Sequence, residues 1–236
     1  MRAGGKLPVA RPPCHIRARS GTRETALVDT GRKLRYYYRA GILAFEGTWR
    51  QNPAMAHRLT TSYTEDAVDL FRYYKRLAER AIEQCSEEAL FSTLDAESNS
   101  IAIIVKHMAG NMRSRWTDFL ATDGEKPDRN RDSEFEAPPR NRTELIAMWE
   151  RGWKSLFDAL EPLAETDLTR TVTIRTEPHS VMQAINRQIA HYSYHVGQIV
   201  FLAKHLTVNA TGSWTSLSVP RNKSRDFTPD VEAGRK

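Results

Sequence analysis

Cysteine is scarce in this sequence: of its 236 residues only Cys14 and Cys85 are cysteines. A small secreted domain held together by disulfides is thereby excluded, and a reducing, cytoplasmic compartment is expected. Charged residues interrupt every apolar stretch before it reaches the length that spans a bilayer, so no membrane partner is expected. The sequence also lacks a glycine-rich phosphate-binding loop, a Gly-x-Ser-x-Gly motif and a paired-cysteine motif.

Positive charge is concentrated at the two ends of the chain. The formal net charge is +6, but residues 1–54 carry 11 Lys or Arg against 3 Asp or Glu, and residues 209–236 carry 5 against 3. Residues 55–208 carry 19 against 23, which makes the middle of the chain mildly acidic. A protein that binds nucleic acid needs basic residues on its folded surface, where they displace the counterions of phosphate. We therefore expect no nucleic-acid partner.

Composition divides the chain into three parts. Residues 1–57 form a basic extension that is rich in arginine and proline, and we expect it to be disordered. One alternative is an organelle-targeting segment, which has a similar composition. The other is that the start of the sequence is placed too early and that Met55 is the natural first residue. Residues 58–207 carry the regular apolar spacing of a folded domain, and residues 208–236 are expected to form a weakly ordered tail.

Four segments of the middle part have the apolar spacing of amphipathic helices, and each opens with a capping signal. A Ser or Asn side chain at such a position accepts a hydrogen bond from a backbone N–H in the first helical turn. The signals are Ser62-x-x-Glu65, the stretch Ser98 to Ser100, Asn141-x-x-Glu144 and Ser180-x-x-Gln183. Gly124 is expected to cap the end of the second helix, and Pro162 to follow the end of the third.

Four helices with one apolar face each can bury those faces only against one another, so we predict an all-α four-helix bundle. The stretch from Asp123 to Arg140 is long, charged and contains three prolines. It is expected to cross one end of the bundle between the second and third helices. The charged run from Asp123 to Glu136 is expected to be a solvated loop, with a loop that covers a site as the alternative. Thr171–Ile174 alternates β-branched residues and predicts a short strand.

Three of the seven histidines are placed so that their side chains can meet. His191 and His195 are four residues apart on the fourth helix, so they project from the same side, at the border of its apolar face. His107 lies at the corresponding border of the second helix. Three imidazoles from two facing helices can bind one divalent ion and leave further positions for water or substrate. The alternative is that they are ordinary hydrogen-bonded core histidines.

Several other residues have simpler interpretations. Asn111 and Gln198 each lie about one turn from a histidine and are candidates to orient an imidazole or to contact substrate. Trp149 and Trp153 are predicted to belong to the core of the third helix, although a substrate platform is an alternative. Cys85 has no identifiable activating partner, so we predict a buried structural thiol.

These motifs resemble the DinB/YfiT-like superfamily of small bacterial metal-binding bundles, over about residues 58–207. The phrase HYSYHVGQIVFLAK is similar to the last helix of that superfamily, and KHMAGNMRSRWTDFLATDGEKPDRNRD resembles a DinB-related subfamily of unknown function. The resemblance implies the four-helix bundle with a long crossover between helices two and three. It also implies a metal site formed by His107, His191 and His195, commonly for zinc or nickel, with manganese or iron also compatible.

The resemblance further implies a small-molecule substrate, because relatives include enzymes that add or remove low-molecular-weight thiols. A bound metal can hold such a thiol as thiolate and aim it at an electrophile. We therefore expect a metal-dependent thiol S-transferase. The alternatives are a metal-dependent hydrolase and a non-catalytic bundle that the metal stabilises. Spare apolar positions and the resemblance also favour a homodimer.

Overall fold

The computed structural model describes residues 59–223, and four long helices dominate this part of the chain. The predicted all-α four-helix bundle, with a long crossover between its second and third long helices, is confirmed. The helices are α1 (Tyr63–Glu83), α2 (Glu87–Phe91), α3 (Ile101–Trp116), α4 (Arg142–Leu160) and α5 (Val181–Thr211). The short α2 follows α1 directly and was not predicted.

The predicted capping residues begin the four long helices. Ser62, Ser100, Asn141 and Ser180 each accept a hydrogen bond from the backbone N–H three residues later. At α5 the bond is reciprocal, because the side chain of Gln183 accepts from the backbone N–H of Ser180 at 2.9 Å. This capping box fixes the start of the helix that carries two of the three candidate histidines.

The core lies between two helix pairs. Helix α3 packs along α4 and α1 packs along α5, while α3 also contacts α5 and α1 contacts α4. Trp149, Trp153, Phe71 and Tyr192 are fully buried, and their rings pack edge to face or tilted at the centre. The prediction that both tryptophans belong to the core is confirmed.

The crossover between α3 and α4 is attached to the rest of the fold instead of running free in solvent. The prediction that Gly124 caps α3 is wrong, because that helix ends at Trp116 with Thr117 as its cap. The Gly124 N–H donates to the carbonyl of Thr173 at 2.8 Å, and its own carbonyl accepts from Ser114 Oγ at 2.8 Å. The crossover therefore joins α3 to the segment before α5.

That segment is a small hairpin. The predicted strand is present as β1 (Thr171–Ile174), and it pairs antiparallel with β2 (Glu177–Ser180), which was not predicted. The connecting residues Arg175 and Thr176 have φ of 55° and 65°. The Asp123 carboxylate of the crossover accepts hydrogen bonds from both backbone N–H groups, at 2.8 and 2.7 Å, and so stabilises this uncommon turn.

The chain ends differ in part from the prediction. Helix α5 continues past residue 207 and ends at a left-handed Gly212 with φ of 72°. The following residues return to α1, where Leu217 is buried and its carbonyl accepts from Arg80 at 3.1 Å. The predicted extension 1–57 and the last part of the tail, 224–236, lie outside the described residues. Among residues 59–223, no helix combines the length and the apolar composition needed to cross a bilayer.

Candidate metal centre

The three predicted histidines meet where α3 and α5 face each other. His107 projects from α3, and His191 and His195 project from successive turns of α5. The Nε2 atom of His191 lies 3.4 Å from Nε2 of His107 and 3.1 Å from Nε2 of His195. One ring nitrogen from each residue can be chosen so that all three lie within 4.8 Å of one another. The structure thus brings together the three residues that the spacing singled out.

The hydrogen bonds around these rings fit a metal ion. Each Nδ1 faces an oxygen acceptor: Glu134 Oε2 at 2.9 Å for His107, Gln188 Oε1 at 3.3 Å for His191, and Gln198 Oε1 at 2.8 Å for His195. A neutral imidazole carries a single N–H, so donation from Nδ1 leaves a lone pair on Nε2. Three such lone pairs then point at one region, which suits a cation.

The spacing of the nitrogens also agrees with this interpretation. Ligands arranged tetrahedrally at about 2.0–2.1 Å from zinc lie about 3.3–3.4 Å apart. The observed Nε2 separations of 3.1 and 3.4 Å are close to that value. The ligand nitrogens of His107 and His195 lie within 4.8 Å of each other.

Burial keeps the rings of α5 in the form that binds metals. His107 and His195 are buried, with 3% and 7% of their surface exposed, whereas His191 is half-buried. Burial, together with the charges of the neighbouring imidazoles, lowers the pKa of His191 to about 3. Burial and the charge of His107 also lower the pKa of His195 to about 4, against the opposing hydrogen bond to Gln198. Both rings are therefore neutral at pH 7, with free lone pairs.

A fourth residue of the site, Glu134, was missed by the sequence analysis. It lies in a short 3₁₀ helix of the crossover, Asp132–Phe135, and only 6% of its surface is exposed. The prediction that this charged stretch is a solvated loop is wrong here, because the Glu134 carboxylate binds both His107 and a buried Arg129. One signal was present: Phe135 interrupts the charged run, and its ring lies 4.5 Å from that of His107.

The partners of Glu134 keep its carboxyl group ionised. Burial alone would raise the pKa of this carboxyl group, but hydrogen bonds from His107 and Arg129 and their charges outweigh burial and lower the pKa. The Arg129 guanidinium approaches with two nitrogens, Nε at 2.8 Å from Oε1 and Nη2 at 2.9 Å from Oε2. Glu134 is therefore a carboxylate at neutral pH.

The two predicted supporting residues, Gln198 and Asn111, differ in the side chains that they contact. Gln198 accepts from His195 Nδ1, as expected for a residue that orients an imidazole, and its amide donates to Tyr194 Oη at 3.2 Å. Asn111 Oδ1 instead accepts from the buried hydroxyl of Tyr192 at 2.9 Å. This hydrogen bond contributes to the packing of α3 against α5. Gln188, which holds His191, has the supporting role that we expected of Asn111.

Comparisons with known proteins place the chain in a family. Residues 58–223 match the family described as "Protein of unknown function (DUF1572)", and the chain belongs to it. The crystal structure of a DinB-like protein from Bacillus cereus is similar, with 15% sequence identity and a TM-score of 0.44 over 60% of this chain and 91% of that one. None of the curated proteins compared with the chain matches it. The expectation that the chain belongs to a family of unknown function is thus confirmed.

Proposed function

We propose that this member of the DUF1572 family binds a divalent metal ion through His107, His191 and His195, and transfers a low-molecular-weight thiol onto an electrophilic small molecule. The observation that carries the proposal is the convergence of three imidazoles whose Nδ1 atoms all face oxygen acceptors. Three protein ligands leave a position for an exogenous ligand, which is the arrangement of catalytic sites. Imidazole ligands suit zinc and nickel.

When bound, the ion would supply Lewis acidity that keeps a thiol in its thiolate form at neutral pH. The residues of the chain hold and orient the ion: the three imidazoles would bind it, and Gln188 and Gln198 fix two of the rings. In the transfer, the thiol sulfur forms a bond to the electrophilic carbon and the thiol proton passes to solvent. The leaving group departs with the electron pair of the broken bond.

The state of Glu134 favours a thiol over water as the nucleophile. A hydrolase of this type needs a general base for the attacking water. The Glu134 carboxylate is already bound to His107 and to Arg129, so it is not free to take a proton from water. A thiol ionises near pH 8.5, about seven units below water, and needs less assistance. The geometry therefore supports thiol transfer better than hydrolysis.

Elemental analysis of the purified protein tests the metal centre first. We expect about one zinc or nickel ion per chain in the wild type and loss of this metal in His107→Ala and His195→Ala. His205→Ala is the matched control, because His205 lies on α5 but is exposed, with its ring bound to Asn209. Wild-type protein that cannot be loaded with zinc, nickel, manganese or iron would refute the metal centre.

The reaction is tested on metal-loaded protein with a panel of low-molecular-weight thiols and a model electrophile. Metal-dependent conjugation that His195→Ala abolishes supports the transferase. Turnover of an ester or amide without thiol would support a hydrolase instead. Metal binding with neither activity, combined with a large fall in the melting temperature of His191→Ala, would support a non-catalytic bundle that the metal stabilises.

A further inference from the structure

We propose that Glu134 is a positioning residue for the metal centre, which it reaches through His107. In this role the Glu134 carboxylate makes the metal-facing nitrogen of His107 the strongest electron donor among the three histidine ligands. The inference rests on the proposed metal binding and adds a residue from the crossover, which the spacing of the histidines does not indicate. Its basis is the asymmetry of the three imidazoles, the buried arginine that fixes the carboxylate, and a glycine that leaves room for it.

The three imidazoles have unequal partners. His107 Nδ1 donates to a carboxylate, whereas His191 and His195 donate to the neutral amides of Gln188 and Gln198. A carboxylate partner increases the basicity of the opposite ring nitrogen more than an amide does. The His107 bond is also shielded, since the side chains of His107 and Glu134 are only 4% and 7% exposed. His107 is therefore the ligand whose metal-facing nitrogen is made most basic by its partner.

Buried charges hold the Glu134 carboxylate in place. The side chain of Arg129 is 3% exposed and binds both carboxylate oxygens through Nε and Nη2. The third nitrogen of Arg129, Nη1, binds Glu125 at 3.2 Å, and Glu125 also binds the buried Arg115 at 2.8 Å. Alternating charges of this kind offset the cost of burying each group alone. The orientation of Glu134 is thus fixed independently of His107.

Gly110 leaves the space that the carboxylate occupies. It lies three residues after His107 on the same face of α3, and a Cβ atom at position 110 would overlap Oε1 of Glu134 and lie 2.8 Å from its Cδ. Glycine inside a helix is unfavourable relative to alanine. A side chain at this position would therefore displace the carboxylate from His107, while the rest of the helix would tolerate it.

The test measures metal affinity in four variants of the full chain, with zinc and nickel titrated against a chelating dye. Glu134→Gln keeps an acceptor but removes the charge, and Gly110→Ala keeps the charge but moves it. We expect both to bind about 10–100-fold more weakly than the wild type. The matched controls are Glu136→Gln, an exposed carboxylate in the same loop, and Gly197→Ala, where an added Cβ meets no atom within 4 Å. Both controls should bind like the wild type.

A spectroscopic measurement separates positioning from general damage to the fold. In protein loaded with Co²⁺, each ligating imidazole gives an exchangeable, paramagnetically shifted Nδ1–H signal. Glu134→Gln should shift one of the three signals and leave the other two nearly unchanged. A purely structural role would change all three or none. If Glu134→Gln does not fold, Gly110→Ala decides the question by the same readouts, because its carboxylate network keeps its charges.

Two results would overturn the inference, and they can be told apart. If the wild type binds zinc or nickel and both Glu134→Gln and Gly110→Ala bind within twofold of it, Glu134 has no positioning role although the metal centre stands. If the wild type cannot be loaded with zinc, nickel, manganese or iron, the metal centre fails and the role of Glu134 fails with it.

Discussion

Replacement of glycine by alanine is expected to have opposite effects on stability at two positions in the long helices. Gly152 lies on α4 where it packs against α3, and an added Cβ would be 2.8 Å from the Cα and 3.1 Å from the Cβ of Ala109. Gly197 lies on the exposed face of α5, where an added Cβ would meet nothing within 4 Å. We predict that Gly152→Ala destabilises the protein and that Gly197→Ala stabilises it.

The magnitudes follow from two competing effects. Alanine is favoured over glycine inside a helix by about 0.8–1.0 kcal/mol, and Gly197→Ala should gain this amount because nothing opposes it. Overpacking a core costs about 1–3 kcal/mol, and the cost at position 152 should be in the upper part of that range because the clash is with backbone. The net effect of Gly152→Ala is then a loss of about 1–2 kcal/mol in the free energy of unfolding.

Urea denaturation followed by far-ultraviolet circular dichroism measures both changes. The two variants should differ by about 2–3 kcal/mol, which corresponds to melting temperatures about 5–10 °C apart for a domain of this size. If Gly152→Ala is as stable as Gly197→Ala, then α3 and α4 do not pack as closely as described, and the reasoning fails.

Three further substitutions test other parts of the structure. Ser180→Ala removes the capping hydroxyl of α5 and should lower the free energy of unfolding by about 1 kcal/mol in the same urea assay. Tyr192→Phe leaves the buried Asn111 and Trp116 each without a partner, so a loss of about 1–3 kcal/mol is expected. Elemental analysis should show unchanged metal in this variant, and loss of metal would instead indicate that Asn111 supports the ligands. Slight burial opposes ionisation of Asp123, but backbone N–H donors outweigh it and lower its pKa to about 2 from 3.8. The wild type should therefore lose stability as the pH falls from about 4 to 2, and an acid titration of Asp123→Asn should lack this part of the loss.

The helices could be predicted because their signals are local. Ser62, Asn141 and Ser180 start helices by accepting bonds from their own first turns, and the apolar spacing that follows gives the buried face directly. The end of α3 was predicted less well, because Gly124 suggested a local cap. Its backbone is used in a contact with Thr173, about fifty residues later, which no local pattern indicates.

The candidate site likewise has one part that the sequence predicts and one part that it does not. The spacing of His191 and His195 places them on one side of a helix, and the border position of His107 allows it to meet them once α3 faces α5. Glu134 could not be found by spacing, since it reaches His107 from an irregular loop across 27 residues of sequence. Charged loops are usually solvated, but the bonds of Glu134 to His107 and to the buried Arg129 make this one an exception.

The distribution of the three histidines links metal binding to the packing of the bundle. His191 and His195 are positioned by α5 alone, whose start is fixed by a capping box and whose end is fixed by Gly212. His107 joins them only when α3 packs on α5, so a complete site exists only in the folded state. A ligand that binds the folded state alone adds about 2.7 kcal/mol of stability at a concentration one hundred times its Kd. An ion held by all three imidazoles would therefore stabilise the contact between α3 and α5 as well as serve chemistry. For the same reason, the loss of stability in a histidine variant does not by itself distinguish a structural ion from a catalytic one.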